Sequence, residues 1–158
     1  MDSLKNKETE LDSLMPIMCE QLAHGGDVTF SPKGTSMLPM LRQGKDTVTL
    51  SPLNGKLKKY DLPLYRRDNG QYVLHRIVGV GDTYTCIGDN QFQKEYGVRY
   101  DQMIGVVSAF SREGRIVKAS DFSYRLYCRV WCLVRPIRYL YILGCGFLKR
   151  MLKKIFKK

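Results

Sequence analysis

Between residues 27 and 120 the chain is a succession of short runs in which apolar and polar positions partly alternate: DVTF, DTVTL, YVLHRIVGV, TYTCIG, QMIGVVSAF and RIVKA. β-branched and aromatic residues dominate these runs, a composition that packs well on a half-buried pleated surface. Turn-forming residues separate them, at Ser51-Pro52-Leu53-Asn54-Gly55, Asp68-Asn69-Gly70, Gly81-Asp82 and Arg112-Glu113-Gly114. Asp68-Asn69-Gly70 ahead of QYVLHRIV predicts a hairpin. Upstream, Leu11, Leu14, Met15, Met18 and Leu22 recur at helical spacing and predict a helix over 8–24, ended by Gly25-Gly26. Pro16 suits a first turn, so the helix is expected to begin close to it. From residue 121 the period becomes helical again. Pro136 and Gly144-Cys145-Gly146 are expected to divide this last region into two or three helical pieces. The pattern therefore predicts a mainly β domain (27–120) between a short helical segment (1–26) and a helical tail (121–158).

Length agrees with one domain plus tails: 158 residues, 44% hydrophobic, enough to bury a core. Charge changes the picture more. The net charge is +11, but residues 121–158 hold ten Lys/Arg against one acid, a net of +9. Residues 1–120 hold sixteen against fourteen and are nearly neutral. A basic tail on a neutral body points to a polyanionic surface, either lipid headgroups or nucleic acid. No recognised nucleic-acid motif accompanies the charge, which disfavours the second. Leu148, Met151, Leu152, Ile155 and Phe156 make an apolar stripe opposite Lys149, Arg150, Lys153, Lys154, Lys157 and Lys158. Tyr127, Trp131, Tyr139 and Tyr141 suit a membrane interface. Residues 126–158 are thus read as lying peripherally on an anionic membrane surface. The plainer alternative is a helix packed on the body with a solvated basic face. Arg135 and Arg138 interrupt the apolar run Val130–Leu148, so no conventional span is expected. The opening MDSLKNKETELDSLM has no apolar run and reads as no secretory signal.

The five cysteines form no C-x-x-C pair, and no histidine lies near Cys128 and Cys132 to complete a metal set. Free, mostly buried thiols are expected, with no metal and no cofactor.

Three segments carry candidate chemistry. Gly34-Thr35-Ser36-Met37-Leu38-Pro39-Met40-Leu41 lies between two strand-like runs. A serine hydroxyl becomes a nucleophile only with a base in reach and donors for the developing oxyanion. By composition alone, Ser36 is an ordinary loop serine. His75 sits within a β pattern; an imidazole titrates near neutrality and is a suitable base. Gly88-Asp89-Asn90 reads locally as a turn.

Taken in order, the three segments resemble the boxes of the signal peptidase superfamily. Ser36-Met37-Leu38-Pro39-Met40-Leu41 followed by Arg42-Gln43-Gly44 looks like its nucleophile box. His75-Arg76-Ile77-Val78 looks like the base motif of the histidine-using branch, the endoplasmic-reticulum and archaeal type; the main bacterial branch has a lysine there. Gly88-Asp89-Asn90, with Ile104-Gly105-Val106-Val107 downstream, looks like the third box. The resemblance implies a twisted, partly closed β-sheet domain and a serine endopeptidase acting on signal or leader peptides or other precursor proteins. It makes Ser36 the nucleophile and His75 the general base. Glu95 and Asp89 rank equally as the acidic third member, with Asp101 weaker; the branch usually has aspartate where Glu95 stands, and the alternative role for Asp89 is to brace the loop. The amide of Ser36 becomes an oxyanion donor, with the hydroxyl of Thr35 or Ser31 as a second. Met37, Leu38 and Pro39 become substrate-binding residues. Arg76 alternates to the other face and receives no catalytic role. The alternatives are a non-signal or self-cleaving regulatory peptidase, and an inactive peptide-binding module of the same fold. The chain departs from the superfamily in lacking the usual N-terminal span, and from its soluble repressor branch in lacking a lysine base and a helix-turn-helix.

Overall fold

The computed structural model describes residues 2–155, with side chains described over 13–145. These residues form α1 (Asp2–Ala23), β1 (Val28–Phe30), β2 (Thr47–Ser51), β3 (Pro63–Arg66), β4 (Tyr72–Leu74), β5 (Arg76–Val80), β6 (Tyr84–Ile87), β7 (Glu95–Val98), β8 (Met103–Arg112), β9 (Arg115–Lys118), α2 (Phe122–Leu133) and α3 (Arg135–Ile155).

The architecture is mainly β, with two antiparallel sheets. One has the order β1-β2-β8-β3-β4, with β9 also paired to β8; the other is β5-β6-β7. Strand β8 is the spine: it pairs with β2 on one side and with β3 and then β9 on the other. Neither sheet closes. In the larger one β1 and β4 remain edges, yet Phe30 of β1 and Tyr72–Leu74 of β4 line one groove of about 550 Å³.

The run YVLHRIVGV is not one strand. It breaks at His75, leaving β4 in the larger sheet and β5 in the smaller. His75 and its neighbour Arg76 therefore stand at the junction of the two sheets. The turn ahead of β4 forms as expected. Gly70, at φ 89°, donates its amide to the Arg67 carbonyl at 2.9 Å, and Asn69 Oδ1 accepts from the Gln71 amide at 3.1 Å. Pro63 opens β3, where a missing N–H is tolerated. Strand β7 lies outside the expected runs, because Glu95-Tyr96-Gly97-Val98 buries only Val98.

One core gathers Val48, Leu50, Leu64, Val107 and Phe110 from the larger sheet, Met15, Met18 and Leu22 from α1, and Tyr124 and Cys128 from α2. A second gathers Tyr65, Ile77, Tyr84, Cys86, Val98 and Met103. Each fully buried aliphatic side chain contributes roughly 1.5–3 kcal/mol.

Two helical expectations change. Helix α1 does not begin near Pro16 but runs through it from Asp2. Burial of Met15 and Met18 on either side offsets the lost backbone bond. Its apolar face is narrower than the pattern, since Leu14 is exposed, while Leu11 lies outside the described side chains. In the tail the chain breaks at Val134, two residues before Pro136, but Gly144-Cys145-Gly146 does not interrupt α3. The stripe from Leu148 to Phe156 and its lysines lie outside the described side chains. Helix α2 packs on the body through Tyr124 and Cys128. Among the described residues no helix is long and apolar enough to cross a membrane.

Candidate active site

The loop carrying Ser36 is fixed from within. Asp46, fully buried at its far end, accepts from Arg42 through the backbone amide, Nε and Nη2 at 2.8–3.0 Å. Ser31 Oγ donates to the Asp46 carbonyl at 3.0 Å, and Gly34 donates its amide to Gln43 Oε1 at 2.8 Å. Leu38 N–H reaches the Thr35 carbonyl at 3.2 Å and Leu41 N–H the Met37 carbonyl at 3.0 Å, so the chain tightens into turns around Ser36.

The Gly-Asp-Asn segment holds this loop from outside. Asn90 donates its amide to the Ser36 carbonyl at 2.8 Å and Nδ2 to the Thr35 carbonyl at 3.2 Å. A Cβ on Gly88 would stand 2.7 Å from the Ser36 carbonyl oxygen, closer than real contacts allow. Glycine is required there because the nucleophile loop packs against that backbone.

Asp89 does something else. Its carboxylate takes a two-pronged contact from Arg76, Nε to Oδ1 at 2.8 Å and Nη2 to Oδ2 at 2.7 Å, with both side chains 0% exposed. The rest of the guanidinium is used as well. Nη1 donates to the Tyr60 carbonyl, Tyr124 Oη and Cys128 Sγ, and Nη2 to Met40 Sδ. Burial opposes the Arg76 charge, but Asp89 more than compensates and raises its pKa. Of the two roles open to Asp89, the geometry fits the bracing one: the carboxylate is committed to Arg76 and is not the one on His75.

Glu95, at the head of β7, is the carboxylate that meets His75. Its Oε1 lies 2.9 Å from His75 Nδ1. The same carboxylate accepts from Tyr65 Oη at 2.9 Å and from Arg67 through Nε at 2.9 Å and a further, shorter bond from Nη2. Burial pushes the Glu95 pKa up, but the bonds from Arg67 and Tyr65 and the nearby imidazole outweigh it and hold the group ionised. An ionised carboxylate only accepts, so the neutral imidazole carries its proton on Nδ1 and keeps the lone pair on Nε2. His75 is 2% exposed; burial lowers its pKa below the ordinary 6.5, with Glu95 opposing and Arg67 adding to the fall. The ring is thus neutral at neutral pH, the state a general base needs.

Ser36 and His75 line one cavity of about 220 Å³, with Arg67, Leu74 and Gln91 also on its walls. Among the described residues no hydrogen bond joins Ser36 Oγ to the imidazole; such bonds are often loose without substrate and tighten in the complex. Thr35 is exposed and lends its carbonyl, rather than its hydroxyl, to the described bonds. Ser31 spends its hydroxyl on Asp46, which leaves it poorly placed as an oxyanion donor. Of the expected substrate contacts, Met37 lines the cavity while packing into the core, Leu38 is half-buried and Pro39, after a cis peptide bond, is exposed. Asp101 bonds Arg99 on the surface.

Tyr65 and Arg67 were not among the expected site residues. Period-two alternation carried the signal: Tyr65 and Arg67 share a face, and the hairpin pairs Tyr65 with Val73, two residues before His75. The five cysteines are free, and no group of three metal-ligating side chains occurs among the described residues.

Compared with known proteins, the chain matches no family model, no curated protein and no solved structure.

Proposed function

We propose that the protein is a serine endopeptidase of signal peptidase type, with Ser36 as nucleophile, His75 as general base and Glu95 as the residue that orients it. The observation that carries this reading is the His75–Glu95 pair on the wall of the cavity that also holds Ser36. Ser36 Oγ attacks the carbonyl carbon of the scissile peptide while its proton passes to His75 Nε2. The tetrahedral intermediate collapses, the C–N bond breaks, and the imidazolium returns the proton to the leaving amine. Water then hydrolyses the acyl-serine by the same route. Glu95 stabilises the transient imidazolium, and Arg67 and Tyr65 keep Glu95 ionised and fixed. The Ser36 amide serves as an oxyanion donor.

A peptide substrate in extended form suits the groove between the sheet edges. Strand β4 is an edge of the larger sheet, and Tyr72, Val73 and Leu74 line both the groove and the Ser36 cavity. A substrate strand added there by main-chain bonding leads its scissile bond towards Ser36. The signal-peptidase form of the fold, a curled and partly closed sheet, belongs to the same proposal.

Membrane association is the second part. Phe122, Leu133, Ile137, Leu140 and Tyr141 on α2 and α3 are all more than two-thirds exposed, a band of apolar surface on a strongly basic segment. It supports a peripheral seat on an anionic bilayer, which brings the groove to membrane-bound precursors.

A serine-reactive peptidyl phosphonate tests the chemistry. Purified wild type is expected to take up one equivalent, and Ser36→Ala none. Equal labelling of both, or none of wild type, overturns the protease reading and leaves a peptide-binding module. Co-flotation with anionic vesicles, lost when the exposed Leu133, Ile137 and Leu140 are replaced by serine, tests the membrane seat separately.

A further inference from the structure

A second concave site lies where the start of α3 and the end of α2 meet the loops after β6 and before β3. Its volume is about 1030 Å³, and it shares no lining residue with the Ser36 cavity. Among the described residues four cations line it, Lys59, Lys94, Arg129 and Arg135, and no acidic residue does. Arg135 is the unusual member. It is 9% exposed, its Nε and Nη2 are buried, and neither has a hydrogen-bond partner among the described residues. Buried guanidinium groups are ordinarily paired, because an unpaired charge away from water is costly. The contrast within one helical turn is plain: Arg138 lies 3.7 Å over the Trp131 ring and donates to the Asp89 carbonyl at 3.3 Å. Burial depresses the Arg135 pKa and outweighs the opposing influence of Cys132 and Asp89, with Arg138 and Arg76 adding to the fall.

A planar guanidinium with two unused parallel donors matches a two-oxygen anion such as a phosphate ester once the side chain turns to present Nε and Nη2 to the cleft, since neither nitrogen is accessible as it stands. The cleft is far larger than a phosphate, and Phe92 and Tyr139, 5.0 Å apart, give it an apolar wall. Leu133, on its rim, is 76% exposed and leads onto the open apolar positions Ile137 and Leu140. We propose that this cleft binds the phosphate headgroup of an anionic glycerophospholipid, with Arg135 as the bidentate ligand, Lys59, Lys94 and Arg129 around it, and the acyl chains along the exposed face of α3. The choice of a lipid rests on the membrane seat proposed above; the anion site itself rests on Arg135 and does not depend on the protease reading.

The test uses the full-length chain and monomeric short-chain lipids, so that binding does not require a bilayer. Dihexanoyl-phosphatidylglycerol below its micelle concentration is titrated calorimetrically against dihexanoyl-phosphatidylcholine and glycerol 3-phosphate. Binding at one to one is expected for phosphatidylglycerol, at least tenfold tighter than for either comparator. Arg135→Met is expected to weaken it at least tenfold while melting no lower than wild type, since an unpaired buried charge is removed. Arg135→Lys, which keeps charge but loses the fork, falls between the two and serves if the methionine variant does not fold. Unchanged affinity in both variants overturns the site, as does equal affinity for phosphatidylcholine. Glycerol 3-phosphate binding as tightly as the lipid, with the same dependence on Arg135, overturns the lipid and assigns the cleft to a soluble phosphate ester. Failure of vesicle flotation beside Arg135-dependent binding refutes the membrane seat and leaves the anion site standing.

Discussion

His75 and Arg76 are neighbours in the chain, both buried, and each is paired with a carboxylate from the next segments of sequence. They face opposite ways across the junction of the two sheets, and they differ in what is left over. Arg76 spends its guanidinium on Asp89, Tyr60, Tyr124, Cys128 and Met40, in a setting with no exposed surface. His75 spends one nitrogen on Glu95 and keeps the other, on the wall of a cavity shared with a serine that has no described hydrogen bond from its hydroxyl. A buried ion pair is therefore no mark of chemistry by itself. The saturated pair locks α2 and the Gly-Asp-Asn turn to the sheet; the unsaturated one retains a lone pair that can take a proton.

The largest expected effect separates the two sides by activity. His75→Ala should lower the rate of phosphonate labelling by about 10⁴–10⁶-fold, the scale seen when one member of a catalytic unit is lost. Glu95 keeps Arg67 and Tyr65 in this variant, so the fall in melting temperature should be limited to that of the cavity left by the buried ring. Labelling within tenfold of wild type removes His75 as the base.

The next effect is in stability and falls on the other side. Asp89→Ala leaves the Arg76 charge buried and without its carboxylate, which costs about 3–5 kcal/mol. Urea unfolding should register that loss. The double replacement Arg76→Met with Asp89→Leu should recover most of it, because a packed apolar pair avoids the desolvation of both ions. A single Asp89→Ala variant as stable as wild type means that the pair is not what holds the junction.

How much of this was legible in the chain depended on the range of the interaction. The hairpin at Asp68-Asn69-Gly70, the strand-like runs and the helix stop at Gly25-Gly26 follow from local rules, and the structure has all three. Ser36, His75 and the Gly-Asp-Asn turn stood out by resemblance, and they do converge on adjoining walls. Local patterns did not distinguish Asp89 from Glu95. Their choice of partner is fixed by which face of the β4–β5 junction each carboxylate meets, and the break at His75 is invisible in an uninterrupted run of strand formers. Tyr65 and Arg67 were missed for a related reason: their roles arise from pairing across the hairpin and from β7, a strand too short and too exposed to show a pattern. Pro16 misled in the opposite direction, since core packing on either side of it overrides the local penalty.

The smallest effect is a pH dependence, and its sign follows from the two pairs. Catalysis by this route needs neutral His75, whose pKa lies below the ordinary 6.5 because burial disfavours the imidazolium more than Glu95 favours it. The labelling rate should therefore rise with pH along a limb centred below 6.5 and be flat at neutrality. Folding stability follows the same group. The unfolded chain protonates His75 more readily, so the stability tied to the neutral ring is complete above about 6.5 and lost as pH falls through the lowered folded pKa. Glu95→Gln removes the one contact that raises the imidazole pKa most, so its acid limb should move lower still, while the ring loses the carboxylate that fixes its tautomer and the maximal rate falls. Asp89 also favours the imidazolium, but less than Glu95 does, so Asp89→Ala should move the limb lower by less than Glu95→Gln does. A limb that shifts with Asp89 and not with Glu95 reverses the assignment of the two carboxylates.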